Sequence, residues 1–209
     1  MNFRDVKIKI CGITNYEDAK MAIDLGADAL GFIFANSPRR ISATKAKSII
    51  EKLPPFIDKV GVFVDKNPKA IQEIARAANL TTVQFSGEED LTLIKRVRGL
   101  TKIKAIRMTP DFRPSHIKDY PVNAYLLETP SETMMGGTGK VWDWSSVNIE
   151  KIKLPVIIAG GLNPDNIEAC IKVIRPYGVD VCSGVEKEPG KKDYQKVKRF
   201  IENAKIKTE

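Results

Sequence analysis

Histidine and cysteine are scarce in this sequence, and their scarcity excludes several kinds of site. Among 209 residues there is one histidine, His116, and there are three cysteines, Cys11, Cys170 and Cys182. The cysteines are odd in number and form no CxxC pair, which argues against a disulfide framework. With a single histidine the chain has no Cys/His cluster for zinc. We therefore predict no metal site.

Long apolar runs are also missing. No stretch approaches the roughly 18 residues that a helix needs to cross a bilayer. The opening residues, MNFRDVKIKI, lack the apolar core of a signal peptide. These absences predict a cytoplasmic protein with no membrane partner and with reduced thiols. The net charge of +8 admits nucleic acid, an acidic surface or a phosphorylated small molecule as partner.

Short apolar runs rich in β-branched residues recur along the chain, separated each time by a helical pattern of about ten residues. This alternation is typical of parallel βα units. No Pro/Gly/Ser-rich linker divides the chain, so we predict a single domain over 1–209. Eight units favour a closed (βα)8 (TIM) barrel. The alternative is a doubly wound sheet, but the residues after the first strand do not form its glycine-rich turn. The predicted strands are 6–10, 29–34, 60–64, 81–85, 103–107, 123–127, 155–159 and 179–183.

Polar residues mark where several helices begin. Asn67-Pro68 and Asn163-Pro164 each place asparagine at the N-cap and proline at the first helical position, where a missing N–H costs nothing. Ser42, Ser145 and Asp193 are further N-cap predictions. The predicted helices are 15–26, 42–53, 67–78, 88–99, a weaker 115–120, 145–153, 163–174 and 193–205.

In a (βα)8 barrel the loops that follow the strands form the site. The turns after strands seven and eight contain Gly160-Gly161 and Ser183-Gly184, where backbone N–H groups and a following helix N-terminus can bind phosphate. Glycines that only form tight turns are the alternative. Asp180 should face the barrel interior or its mouth and need a partner, and Gln84 is expected to line the site. Arg39 offers a planar fork to a carboxylate, unless it is simply a solvated loop residue.

Two residues are candidates for acid–base chemistry. Cys11 ends the first strand beside Lys9, whose charge would favour the thiolate. A buried, purely structural cysteine is the alternative, and it is our prediction for Cys170 in a helix and for Cys182, which we expect to face the helix layer. Glu128 ends the sixth strand, where partial burial should raise the carboxyl pKa and keep the group available as a general acid.

An ordered set of motifs runs through nearly the whole chain. It comprises KICGIT (9–14), GADALGF (26–32), SPRRIS (37–42), VGVFV (60–64), VQFSG (83–87), GGTGK (136–140) with DW (143–144), GGLNP (160–164), and VDVCSGVE (179–186) followed by PGKKD (189–193). This set closely resembles the phosphoribosylanthranilate isomerase family, to which KICGIT and VDVxSGVE with PGKKD are specific.

The resemblance implies a cofactor-free (βα)8 isomerase of tryptophan biosynthesis. Its reaction converts N-(5'-phosphoribosyl)anthranilate to 1-(2-carboxyphenylamino)-1-deoxyribulose 5-phosphate by an Amadori rearrangement. The implied partner is therefore a phosphorylated small molecule, and the protein is expected to be a monomer or a homodimer. The resemblance implies Cys11 as base, Glu128 as acid, Arg39 as the ligand of the anthranilate carboxylate, Asp180 lining the site, and the backbone of Gly160, Gly161, Ser183 and Gly184 around the phosphate.

Two positions depart from the family pattern. The family usually has histidine where Ser86 stands. It usually has aspartate where Glu128 stands, so the position of the acid is open and Glu132 is the alternative acid. A paralogous phosphosugar isomerase or an inactive homologue is the alternative function. A basic nucleic-acid-binding module is a remote one, and we predict no nucleic-acid partner, because lysine and arginine are dispersed over every predicted helix instead of clustering with aromatic residues.

Overall fold

Eight parallel strands close into a barrel. The computed structural model describes residues 6–109, 111–128 and 148–205. Each strand pairs with the next along the chain, and the eighth pairs with the first. This closure confirms the predicted barrel and excludes the doubly wound sheet. The strands are β1 (Lys7–Ile10), β2 (Ala29–Ile33), β3 (Asp58–Phe63), β4 (Thr82–Phe85), β5 (Thr101–Arg107), β6 (Ala124–Glu128), β7 (Val156–Ala159) and β8 (Gly178–Val181).

Helices pack against the outward-facing side chains of the strands. Three predicted N-caps are confirmed, because the side chains of Ser42, Asn67 and Asp193 each accept a hydrogen bond from a backbone N–H of the first turn. Ser145 lies outside the described residues. None of the described helices combines the length and the apolar character needed to span a membrane. The helices are α1 (Tyr16–Asp24), α2 (Ala43–Ile50), α3 (Pro68–Ala77), α4 (Leu91–Arg96), α5 (Ile167–Ile174) and α6 (Tyr194–Ala204).

Asn163 is not the N-cap of α5, so that prediction is wrong. The Asn163 side chain accepts a hydrogen bond from the N–H of Asp165 over 2.8 Å and forms a turn ahead of the helix. The Asn166 side chain accepts from the Asn163 N–H over 2.9 Å and donates to the Gly161 carbonyl over 3.1 Å. These side-chain hydrogen bonds fix the turn, and α5 begins only after Asn166.

Two other predicted helices are replaced by short 3-10 turns. The segment 115–120 contains only the turn Pro114–His116, because Pro121 disfavours the α conformation of the residue before it. The segment 145–153 is described from residue 148 onward and contains the turn Ile149–Lys151. After β8 the chain forms a third such turn, Ser183–Val185, and then an unpredicted hairpin of β9 (Glu186–Glu188) and β10 (Lys191–Lys192).

The inward-facing side chains change character along the barrel axis. Six of them form an apolar cluster, separate from the larger cluster between strands and helices. Nearer the carboxyl ends of their strands, Lys9, Gln84 and Asp180 are polar and only 4%, 5% and 8% exposed. Buried polar groups require partners or a ligand. The carboxyl end of the barrel, its mouth, therefore contains polar side chains that need such partners. The apolar cluster consists of Val60, Ile103, Ala124, Leu126, Ile157 and Ala159.

Candidate active site

A buried ion pair joins two neighbouring strands inside the barrel. Lys9 on β1 and Asp180 on β8 are register partners, and the Lys9 Nζ donates to the Asp180 Oδ2 over 2.8 Å. Burial alone would lower the pKa of Lys9, but the Asp180 carboxylate raises that pKa above its ordinary value. Lys9 therefore keeps its charge, and it is the partner that the sequence required for Asp180.

Cys11 follows β1 and is 6% exposed. Its backbone N–H donates to the Val181 carbonyl over 2.8 Å, which fixes its position against β8. The influence of the neighbouring Cys182 thiol is the main cause that lowers the pKa of Cys11. Burial opposes this effect and the charge of Lys9 reinforces it, so the net shift is downward. The site thus favours a Cys11 thiolate.

The prediction that Cys182 faces the helix layer is wrong. Side chains two residues apart on a strand point to the same face, so Cys182 follows Asp180 into the mouth. A methyl group built on Gly12 would lie 2.9 Å from the Cys182 Sγ, which places this sulfur directly over the turn after β1. Cys170, by contrast, is buried in α5, as the sequence predicted.

Gly31 on β2 leaves the space that the Cys11 side chain occupies. A methyl group built on Gly31 would lie 2.6 Å from the Cys11 Sγ and 3.0 Å from its Cα. Both separations are shorter than a carbon atom can approach without displacement, so any larger residue would move the thiol.

We expect Gly31→Ala to lower kcat by about 100-fold, because a displacement on the order of 1 Å can have that effect on a reacting group. Steady-state kinetics check the prediction. Gly61→Ala is the matched control, since its methyl group would meet Leu80 Cδ1 at 2.4 Å, against the helix layer and away from the mouth. That control should lower the melting temperature and leave kcat unchanged. Equal kcat losses in the two variants would refute the role given to Gly31.

Glu128 ends β6, between Arg107 on β5 and Ala159 on β7. Glu128 as a residue is exposed, but the protein atoms around its carboxyl group still raise the pKa of Glu128, and the negative charge of Asp180 raises it further. Arg107 and Lys9 act in the opposite direction without cancelling the rise. Because Asp180 and Lys9 both affect the pKa of Glu128, its carboxyl group lies in the same mouth as the buried ion pair. Glu132, the alternative acid, lies outside the described residues.

Arg39, in the loop after β2, is held by a carboxylate that sequence reasoning did not select. Its Nε and Nη2 donate to Glu186 over 2.9 and 2.6 Å, and the Lys192 Nζ donates to the same carboxylate over 3.0 Å. Burial alone would raise the pKa of Glu186, but the hydrogen bonds from Arg39 and Lys192 lower it below its ordinary value. Two cations and one carboxylate leave this cluster with one net positive charge. Sequence reasoning missed Glu186 and Lys192. They lie in the motifs VDVCSGVE and PGKKD, and this position was the signal that could have identified them.

The turns after β7 and β8 touch each other. Gly160 and Gly161 have φ values of 87° and 60°, a region that favours glycine. A methyl group built on Gly184 would lie 1.9 Å from the Leu162 carbonyl oxygen, so only glycine allows this approach. The helix predicted over 193–205 is present as α6, but Ser183 first begins a 3-10 turn and the hairpin follows, so no α-helix N-terminus comes directly after β8.

Two buried acceptors in the mouth have no hydrogen-bond partner among the described residues. They are the Gln84 Oε1 and the Asp180 Oδ1. The Gln84 Nε2, in contrast, donates to the Ser86 Oγ over 3.1 Å. Buried acceptors are normally satisfied, so the mouth is suited to a ligand that brings hydroxyl or amino donors.

A parallel barrel with a thiol of lowered pKa, a carboxyl group of raised pKa and a cationic cluster near its carboxyl end is typical of an enzyme of acid–base chemistry. The family model described as N-(5'phosphoribosyl)anthranilate (PRA) isomerase matches residues 8–203. The chain belongs to this family of isomerases, which interconvert an aldose and a ketose in tryptophan biosynthesis. The function predicted from the sequence resemblance is thereby confirmed.

Individual relatives match over almost their full length. The N-(5'-phosphoribosyl)anthranilate isomerase of Pelobacter propionicus is 45% identical over 201 residues, which cover 96% of each chain. A crystal structure of a phosphoribosyl anthranilate isomerase with reduced 1-(o-carboxyphenylamino)-1-deoxyribulose 5-phosphate has a TM-score of 0.83 and 38% identity, covering 95% of this chain and 98% of that one. A structure of monomers generated from the dimeric Thermotoga maritima enzyme has a TM-score of 0.81 and 37% identity, with the same coverage.

Proposed function

We propose that Cys11 and Glu128 carry the proton transfers of the isomerase reaction. The substrate is N-(5'-phosphoribosyl)anthranilate and the product is the carboxyphenylamino-deoxyribulose phosphate, whose reduced form occupies a related structure. The acid protonates the ribose ring oxygen, so that the ring opens to a protonated Schiff base. The base then removes the proton from C2', and the resulting enolamine tautomerises to the ketone.

One observation carries this assignment: the surroundings of Cys11 and Glu128 bring the pKa values of the two groups closer together. An unperturbed thiol has a pKa of about 8.5 and an unperturbed glutamate about 4.3, so a thiolate and a protonated carboxyl rarely coexist in water. The pKa of Cys11 is lowered and that of Glu128 is raised. Each shift increases the fraction of molecules that hold a base and an acid together.

The loss of phosphoribosylanthranilate, followed by its fluorescence, tests the activity directly. We expect the purified protein to consume this substrate without added cofactor. A wild-type protein that leaves the fluorescence unchanged would overturn the proposed roles.

The turns after β7 and β8 would bind the substrate phosphate through the backbone of Gly160, Gly161, Ser183 and Gly184. Their contact with each other brings two sets of backbone groups to one place, close to the N-terminus of α5. The unpartnered acceptors of Gln84 and Asp180 would take hydroxyl or amino protons of the same ligand. A phosphorylated sugar supplies both the anion and the donors.

Arg39 would bind the anthranilate carboxylate. A guanidinium has five N–H groups, and Glu186 uses only one edge of them. We expect Arg39→Ala to raise KM about 10- to 100-fold, with a smaller change in kcat. This factor corresponds to the free energy of a charge-assisted hydrogen bond. The neighbouring exposed Arg40 provides the control, since Arg40→Ala should leave KM unchanged. Equal effects of both variants on KM would show that general positive charge, not a contact of Arg39, binds the substrate.

The opposite end of the barrel would join two copies of the chain. A cavity of about 370 Å³ opens there, lined in part by Val60, Ile103 and Ile157. Phe56, on its rim, is 97% exposed and follows two prolines that stiffen the loop. An exposed aromatic beside a cavity with apolar walls as well as polar ones is typical of an interface, and the related Thermotoga maritima enzyme is dimeric. We therefore propose a homodimer in which Phe56 of each copy contacts the cavity of the other.

Sedimentation velocity tests this arrangement. We expect the wild type to sediment as a dimer and Phe56→Asp as a folded monomer, because an aspartate loses its hydration on contact with the apolar part of the cavity and cannot replace the apolar contacts of the phenylalanine. Val173→Asp changes another exposed apolar residue, on α5, and should remain dimeric. A Phe56→Asp protein that keeps the wild-type sedimentation coefficient would place the interface elsewhere.

A further inference from the structure

Cys182 stands beside the proposed base because of strand register. Ile10 on β1 is paired with Val181 on β8, so the next residue of each strand, Cys11 and Cys182, follows at the same level. The hydrogen bond from the Cys11 N–H to the Val181 carbonyl, 2.8 Å long, continues this pairing past the end of β1. Neighbouring strands lie about 4.8 Å apart, which brings two side chains of the same face into contact.

The two sulfurs have different surroundings. Cys11 is buried against Gly31 and lies next to the ammonium group of Lys9. Cys182 is half-buried, and its sulfur packs over Gly12, where the Arg39 side chain also lies. Two thiolates in contact would repel each other, so only one of the pair can ionise readily. The Lys9 ammonium favours ionisation of Cys11, while Arg39 and Lys192 lie near Cys182.

We propose that Cys182 is a positioning residue for the base: its thiol keeps its proton and donates a hydrogen bond to the Cys11 sulfur, which holds Cys11 as the thiolate. This role rests on the proposed function of Cys11. A hydrogen bond to the charged form of a group stabilises that form. Cys182 therefore acts through Cys11 and does not itself transfer a substrate proton.

Charged groups face both sulfurs of the pair. The Cys182 thiol is the largest influence that lowers the pKa of Cys11, and the contact with Cys11 is the largest influence that raises the pKa of Cys182. The other charged groups that face the pair are the cations Lys9, Lys192 and Arg39 and the carboxylate Asp180.

The ionisation of Cys11 can be measured without any turnover. The protein is first reduced, then alkylated with iodoacetamide at a series of pH values, and the modification is quantified on the tryptic peptide 10–20, whose only cysteine is Cys11. We expect Cys182→Ala to move the midpoint upward by about one pH unit, equivalent to about tenfold less thiolate below the midpoint. Cys182→Ser retains a donor hydroxyl and should keep the midpoint near that of the wild type.

Cys170→Ala is the matched control, because it removes the third thiol from α5 and should leave the Cys11 midpoint unchanged. An unchanged midpoint in Cys182→Ala would overturn the proposal. A shift in Cys182→Ser as large as in Cys182→Ala would also overturn it, since packing and not a hydrogen bond would then be the cause. Alkylation is independent of the isomerase reaction, so a wild type without turnover that still shows the Ala-specific shift would refute the proposed function and not the role of Cys182.

Discussion

Cys11→Ala should lower kcat by about 10²- to 10⁴-fold, the usual contribution of a positioned general base. The variant removes the thiol that lies next to the Lys9 ammonium and that would accept the proton from C2'. Alanine fits the same space, so the phosphate and carboxylate contacts of the substrate persist and KM should change little. Steady-state kinetics on the purified variant, with the fluorescence of the substrate as signal, give both constants.

The third cysteine provides the control for this experiment. Cys170 is fully buried in α5, so Cys170→Ala leaves a small cavity and should lower the melting temperature by an amount equivalent to about 1 kcal/mol. Its kcat should equal that of the wild type. If Cys11→Ala also retained wild-type kcat, Cys11 would be a packing residue and the base would have to be another group.

Glu128→Gln should lower kcat by a similar factor of about 10²- to 10⁴-fold. Glutamine retains the shape and hydrogen-bonding capacity of a protonated glutamate, but it cannot donate a proton to the ribose ring oxygen. Glu128→Asp should retain more activity than Glu128→Gln, because it keeps a titratable carboxyl about one C–C bond, roughly 1.5 Å, further back. Glu132→Gln separates the two candidate acids: a large loss there with a fully active Glu128→Gln would transfer the role to Glu132.

The pH dependence of kcat/KM gives a second measure of the same pair. The wild type needs Cys11 deprotonated, which higher pH favours, and Glu128 protonated, which lower pH favours, so its profile should be bell-shaped. Since the pKa of Cys11 is lowered and that of Glu128 is raised, both shifts raise the maximum of that bell. In Glu128→Gln only the thiol titrates, so the residual activity should rise with pH to a plateau. A persistent fall at high pH in that variant would assign the falling limb to another group.

Much of the barrel could be predicted from short stretches of sequence. All eight predicted strands are present, with ends that differ from the structure by no more than two residues. Asn67 caps α3 as predicted because its partners are the next few backbone N–H groups. Asn163-Pro164 carries the same local signal and fails, since the Asn166 side chain hydrogen-bonds back to Asn163 and Gly161 and stabilises a different turn.

The sequence by itself determined the class of fold, the family and the positions where chemistry is expected, because β-strand alternation, helix caps and motifs act over a few neighbouring residues. Only the tertiary structure decided the partners of those positions. Lys9 meets Asp180 from 171 residues away, and Arg39 meets Glu186 from 147 residues away. Cys182 faces Cys11 for the same reason: closing the barrel brings β8 beside β1, and no local pattern in either strand specifies which side chains then come into contact.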